Sequence, residues 1–186
     1  MNSYFASPLL LIVDTFFYIV MLIVYLRLIM QVVRADFYNP LAQGVLKATS
    51  PVLIPLRRLL PSFGKWDTAS LVLLCLLAIA HSMLTLLIHG VSLLPNAVVV
   101  FAFIDLVKFL FQFYFFSILI QVILSWVQPG DMNYTSILLH QINRPLLNPV
   151  QKLLPPMGGF DLSPMIVLLL LQVAQMLIMP LLNQLL

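Results

Sequence analysis

Long apolar runs dominate the chain, and four of them reach the length of a membrane crossing. About 20 residues of α-helix span a hydrocarbon core, and apolar stretches lie near 8–33, 68–90, 97–127 and 163–185. The first and third exceed the minimum, so they are expected to tilt or to extend into the headgroup zone. The two segments that join run one to run two and run three to run four mix apolar with polar positions. In the first, Leu41, Val45, Leu46, Val52, Leu53, Leu56, Leu59 and Leu60 are interleaved with Gln43, Lys47, Arg57 and Arg58. That pattern predicts short interfacial helices, apolar side buried and basic side among headgroups. Pro51 and Pro55 suit a first helical turn, and Pro61 suits a stop. The second segment repeats the plan over Tyr134–Asn143 and Pro145–Leu154. Irregular backbone exposed to lipid at depth is excluded, because its polar groups would lack partners. The predicted fold is all-α: a polytopic helical membrane protein with four transmembrane helices.

The plan is written twice. Residues 51–67 read PVLIPLRRLLPSFGKWD and residues 145–161 read PLLNPVQKLLPPMGGFD, with eight of seventeen positions identical at an offset of 94. The same offset pairs Asn39 with Asn133. It divides the chain into units 1–94 and 95–186, each with two spans and one polar loop. A repeat of this kind sets the architecture. An even number of spans per unit makes the two copies parallel, related by an axis along the membrane normal.

Composition agrees. The chain is 62% hydrophobic and 8% charged, where soluble domains are about a quarter charged. The charges also orient it. Arg34, Lys47, Arg57, Arg58 and Lys65 follow the first run, Arg144 and Lys152 follow the third, and the other extramembrane segments carry no Lys or Arg. Basic loops stay cytoplasmic, so both termini are expected outside. The N-terminal stretch MNSYFASPLLLIVD has no basic start and its apolar run is too long for a cleaved signal, so it is expected to be retained. Cys75 is the one cysteine, which rules out a disulfide within a single copy.

Candidate chemistry is sparse. Asp14, Asp105 and Lys108 fall inside apolar runs, where ionisable groups are functional candidates. The offset maps Asp14 onto Lys108, and Asp105 is one turn from Lys108, so the three are expected to form one intramembrane charge cluster. It serves either as a neutral pin between the repeats or as an ion or proton relay. Asp67 and Asp161 precede the second and fourth spans and are expected to cap those helices through the positive dipole end. A cation site is the other reading of these two. Gly64, Gly158 and Gly159 supply the turns before them. Lys47, Arg57, Arg58, Arg144 and Lys152 are expected to contact anionic lipid or a partner, or else simply to fix topology. Arg27 is expected to snorkel towards the headgroups. His81 and His89 have no neighbours at metal-ligand spacing and read as packed or interfacial side chains. Gln112, Gln121, Gln172 and Gln175 can bond between helices. No catalytic, cofactor-binding or metal-binding arrangement is visible, and nucleic acid is not an expected partner.

DFYNP (Asp36–Pro40), the block Pro-x-x-x-Pro-x-x-[Arg/Lys]-x-x-Pro in both halves, Ser125-Trp126 with Pro129, and GGFDLSP (Gly158–Pro164) resemble the YggT family, also called YlmG. The resemblance covers nearly the whole chain, although Lys65-Trp66 stands where the second copy has Gly159-Phe160. It implies a multi-pass bacterial inner-membrane protein with two YggT repeats. Members are linked to osmotic stress or ion homeostasis, to division-associated membrane organisation, and in plastids to cytochrome assembly. The family supplies no catalytic or binding residues to carry over. The expected function is a non-enzymatic scaffold or assembly factor whose basic loops engage lipid, membrane proteins or another copy of itself. The alternative is a small ion-transport or channel component.

Overall fold

The structure, a computed structural model, describes residues 3–60, 66–127, 133–153 and 161–184. These form α1 (Ser3–Val32), α2 (Pro40–Leu59), α3 (Thr68–His89), α4 (Pro95–Val127), α5 (Tyr134–Leu153) and α6 (Ser163–Asn183). Stretches of α1, α3, α4 and α6 are long and apolar enough to cross a membrane. The all-α fold with four such spans is therefore the observed one. Lys65, the Pro61 stop and the turn glycines Gly64, Gly158 and Gly159 lie outside the described residues.

The loops differ from expectation. Each holds one continuous helix of 20 residues, where proline spacing suggested shorter pieces. Pro51 and Pro55 lie inside α2, and Pro145 and Pro149 inside α5. All four are exposed. Two prolines four residues apart place their missing hydrogen bonds on one side of the helix. The carbonyls they release face outward, where water or headgroups can bond them, so the helix continues.

The helix ends follow local chemistry. Asn39 Oδ1 accepts from Leu41 N at 2.9 Å ahead of Pro40, and Asn133 Oδ1 accepts from Ser136 N at 2.8 Å. The paired asparagines of the repeat are thus the N-terminal caps of α2 and α5. At the end of α3, Gly90 adopts φ +71°, and Val91 N bonds back to Leu86 O at 3.0 Å, a left-handed C-terminal cap.

α3 packs between α1 and α4, and α6 packs on α4. Buried Ala69, Ser70, Ala78 and Ser82 let α3 approach its neighbours closely. Between α1 and α4 large rings bridge instead, with Tyr25 4.7 Å from Phe113 and Tyr18 5.3 Å from Phe109. α2 and α5 pack side by side. They are tied where Asn39 Nδ2 donates to Tyr134 O at 2.7 Å and Asp36 N donates to Gln141 Oε1 at 3.2 Å. The two connecting helices therefore share one end of the bundle, as parallel repeats require. α6 forms an edge whose Met165, Leu169, Val173 and Met176 remain exposed, a surface suited to lipid.

Candidate functional site

The intramembrane charges meet on α3. His81 Nε2 lies 2.8 Å from Asp14 Oδ1 on α1, and its Nδ1 lies 3.1 Å from Asp105 Oδ2 on α4. Ser82 Oγ also donates to Asp105 Oδ2, at 3.3 Å. One imidazole thus joins three membrane helices. The ring rests against Phe17, with centroids 5.4 Å apart. These groups line a cavity of about 630 Å³ that reaches His89 and Val91 at the α3–α4 connection and contains Lys108 and Gln112 in its wall.

Lys108 departs from expectation. It lines the same cavity and is exposed, but it forms no ion pair with Asp14 or Asp105 within 4.0 Å. Depth alone does not make a pair. Asp14 and Lys108 are matched in depth by the repeat, yet α3 sits between their helices and supplies the closer partner, His81. By its spacing along the chain alone, His81 has no partner. The missed signal is hairpin register: His81 and Asp105 are equidistant from Leu93, so antiparallel α3 and α4 bring them to one level.

Nearer the opposite end, the two repeats carry equivalent ties. Asp67 occupies the N-cap position of α3, but its side chain makes no capping bond. Arg57 Nε donates to Asp67 Oδ1 at 3.3 Å, Arg57 Nη2 bonds the other carboxylate oxygen, and Ser70 Oγ donates to Oδ2 at 2.6 Å. The expected cap is instead a tether from α2 to α3, because a guanidinium fork within reach outcompetes a backbone amide. Burial pushes the Asp67 carboxyl up, but the bonds from Arg57 and Ser70 outweigh it and hold it below its ordinary value. In the second repeat the offset places Gln151 where Arg57 stands. Gln151 Nε2 donates to Asp161 Oδ2 at 2.8 Å, while Asp161 Oδ1 accepts from Ser163 N at 2.9 Å. Asp161 therefore does bond a first-turn amide of α6. Burial pushes its carboxyl up, and hydrogen bonds from Ser163 and Gln151 bring it below its ordinary value.

Of the basic residues expected at the surface, Lys47, Arg58, Arg144 and Lys152 are exposed on α2 and α5, and Arg57 is turned to Asp67. Arg27 is half-buried, and its Nη1 is buried without a hydrogen-bond partner. Its repeat equivalent, Gln121, accepts from Asn143 Nδ2 at 2.8 Å. Asn143 is fully buried and also accepts from Ser117 Oγ at 2.9 Å, so α4 and α5 share a closed polar network. Among the described residues no group of three or more His, Cys, Asp or Glu is arranged to hold a metal ion.

The CCB3/YggT family model matches residues 6–88 and again residues 100–182. The chain belongs to the CCB3/YggT family. The two matches begin 94 residues apart, the offset that pairs Arg57 with Gln151 and Asp67 with Asp161. An uncharacterised protein of Pseudomonas aeruginosa is 44% identical over 160 residues, covering 85% of this chain and 81% of its own. The uncharacterised protein YggT of Escherichia coli K12 is 39% identical over 155 residues, covering 83% and 80%. An uncharacterised Vibrio alginolyticus protein is 34% identical over 168 residues, covering 89% and 90%. No solved structure matches the chain. The YggT repeat here is thus a pair of spans whose connecting helix is tethered to the second span by an Asp.

Proposed function

We propose that this YggT-family protein is a non-enzymatic scaffold or assembly factor of the bacterial inner membrane, docked to anionic lipid headgroups or membrane-protein partners through α2 and α5. The observation that carries the reading is the paired layer these helices form at one end of the bundle. Lys47, Arg58, Arg144 and Lys152 are exposed there beside exposed Leu41, Val52, Ile54 and Leu59. Each basic group near an anionic surface contributes about 1 kcal/mol of attraction. The helices that carry these four groups are bonded to each other near Asn39 and Tyr134. Native mass spectrometry of the protein from mixed phosphatidylglycerol and phosphatidylcholine nanodiscs tests it. The wild type is expected to retain phosphatidylglycerol selectively, and the variant with Lys47, Arg58, Arg144 and Lys152 all changed to Gln is expected to lose that preference. Equal retention by both sinks the lipid reading.

The same reading orients the layer to the cytoplasm, with both termini outside. In a Cys75→Ala background, Lys47→Cys and Gln141→Cys are expected to label only from the cytoplasmic side, and Ser3→Cys and Leu93→Cys only from the other. Labelling of position 47 from outside alone inverts the topology.

The cavity around Asp14, His81, Asp105 and Lys108 favours a second reading, a small ion-transport component in osmotic or ion homeostasis. Ionisable groups kept at membrane depth commonly mark ion or proton paths. Purified protein in liposomes under an imposed ion gradient tests this, and absence of flux above protein-free liposomes defeats it.

A further inference from the structure

We infer that Asp14, His81 and Asp105 form a proton-binding site, occupied near neutral pH, whose proton joins α1 and α4 to α3. A neutral imidazole has one N–H donor and one bare lone pair. Both ring nitrogens of His81 face carboxylate oxygens, at 2.8 and 3.1 Å. With both carboxylates ionised and the ring neutral, one of these contacts would set a lone pair against a carboxylate. Both become hydrogen bonds only if the trio holds one more proton, on the second ring nitrogen or on the facing carboxyl. The proton belongs to the trio, and coupled groups of this kind titrate together.

The surroundings agree. Asp14 and Tyr18 approach from α1, and Asp105 and Lys108 from α4, while His89 is on α3 itself. No other titratable side chain lines the cavity among the described residues. With the extra proton on the ring, the two carboxylates, the imidazolium and Lys108 sum to zero charge. Without it the cavity is left with one net negative charge at membrane depth, an expensive condition. The proton therefore does two things: it neutralises the site and completes the bond that ties the third helix. The inference goes beyond both functional readings, since a proton can be held here whether or not an ion crosses.

The test is ¹⁵N NMR of histidine-labelled protein in lipid nanodiscs, with ¹³C detection of the aspartate carboxyls. Signals are assigned by their loss in His81→Gln. At about pH 7.5 an ordinary imidazole is mostly neutral. The expected result is that His81 carries protons on both nitrogens, or on one with a protonated Asp14 or Asp105. Asp14→Asn, at an exposed position, should fold and should return His81 to the neutral form at the same pH. The wild type should also lose thermal stability when raised from about pH 7 to about pH 9, and His81→Gln should not show that loss. A neutral His81 between two ionised carboxylates in the folded wild type overturns the inference. A protonated trio without ion flux in liposomes leaves it standing and removes only the transport reading.

Discussion

Arg57→Ala is expected to destabilise the protein by about 3 kcal/mol, the low end for breaking a buried ion pair, because Asp67 is buried while Arg57 is partly exposed. Asp67 is 1% exposed, and after the change only Ser70 would remain as a bonding partner in the observed network. Arg57→Gln is expected to lose less, because an amide can still donate one bond to the carboxylate, as Gln151 does to the more exposed Asp161. The double change Arg57→Ala with Asp67→Asn should recover most of the single-mutant loss by removing the stranded charge. Equilibrium unfolding in mixed micelles measures all four proteins. Equal losses for Arg57→Ala and Arg57→Gln would contradict the tether.

The pH dependence of the same pair has a definite sign. The folded Asp67 carboxyl is held below its ordinary value. Its contribution is therefore fully present above the unfolded carboxylate value, about 3.9, and is lost as pH falls through the lower folded value. In Arg57→Ala, burial acts with little opposition and the carboxyl titrates higher, so acid relieves that variant. The stability gap between wild type and Arg57→Ala should consequently narrow as the pH is lowered towards the carboxylate range. A gap that stays constant would assign the loss to packing by the arginine stem.

These residues also mark how far the sequence could be read. Span positions, the parallel repeats and the amphipathic character of α2 and α5 follow from apolar run length, a constant offset and interleaved Leu and Arg. Each of these is a property of one helix or of its spacing along the chain. The partners of the charged groups were harder to see, because they depend on how helices face one another. Asp14 pairs across to a third helix that the repeat offset does not mention. Asp67 does stand at the start of a helix, but its carboxylate bonds Arg57 on the preceding helix and not the backbone it was placed to cap. By local rules Pro51 and Pro55 suit helix starts, because an interior proline loses a bond. Their common exposed side, visible only in three dimensions, removes that objection. The repeat itself held the clue to the tether, since Arg57 and Gln151 are both side-chain donors placed ten residues ahead of an identical acceptor, Asp67 and Asp161.

The network between α4 and α5 should be the next most sensitive point. Asn143→Ala leaves Ser117 Oγ and Gln121 Oε1 without the bonds they now share, in a site where Asn143 is fully buried. A single interhelical hydrogen bond in a membrane averages only about 0.6 kcal/mol. A buried group left unsatisfied costs about 1–3 kcal/mol, so stranding should outweigh the bonds themselves. Ser117→Ala is expected to cost about 1 kcal/mol, since it strands one atom, Asn143 Oδ1, while Asn143 Nδ2 keeps Gln121. Asn143→Ala should cost about 2–3 kcal/mol. The first repeat supplies the contrast: Thr49, at the position of Asn143, bonds within its own helix to Val45 O at 2.7 Å. Thr49→Ala should therefore leave the α1–α2 seam nearly unchanged, even though the two positions are equivalent by sequence. Unfolding curves in mixed micelles rank the three variants. If Thr49→Ala costs as much as Asn143→Ala, the two seams are held by shape alone and the polar network between α4 and α5 contributes nothing specific.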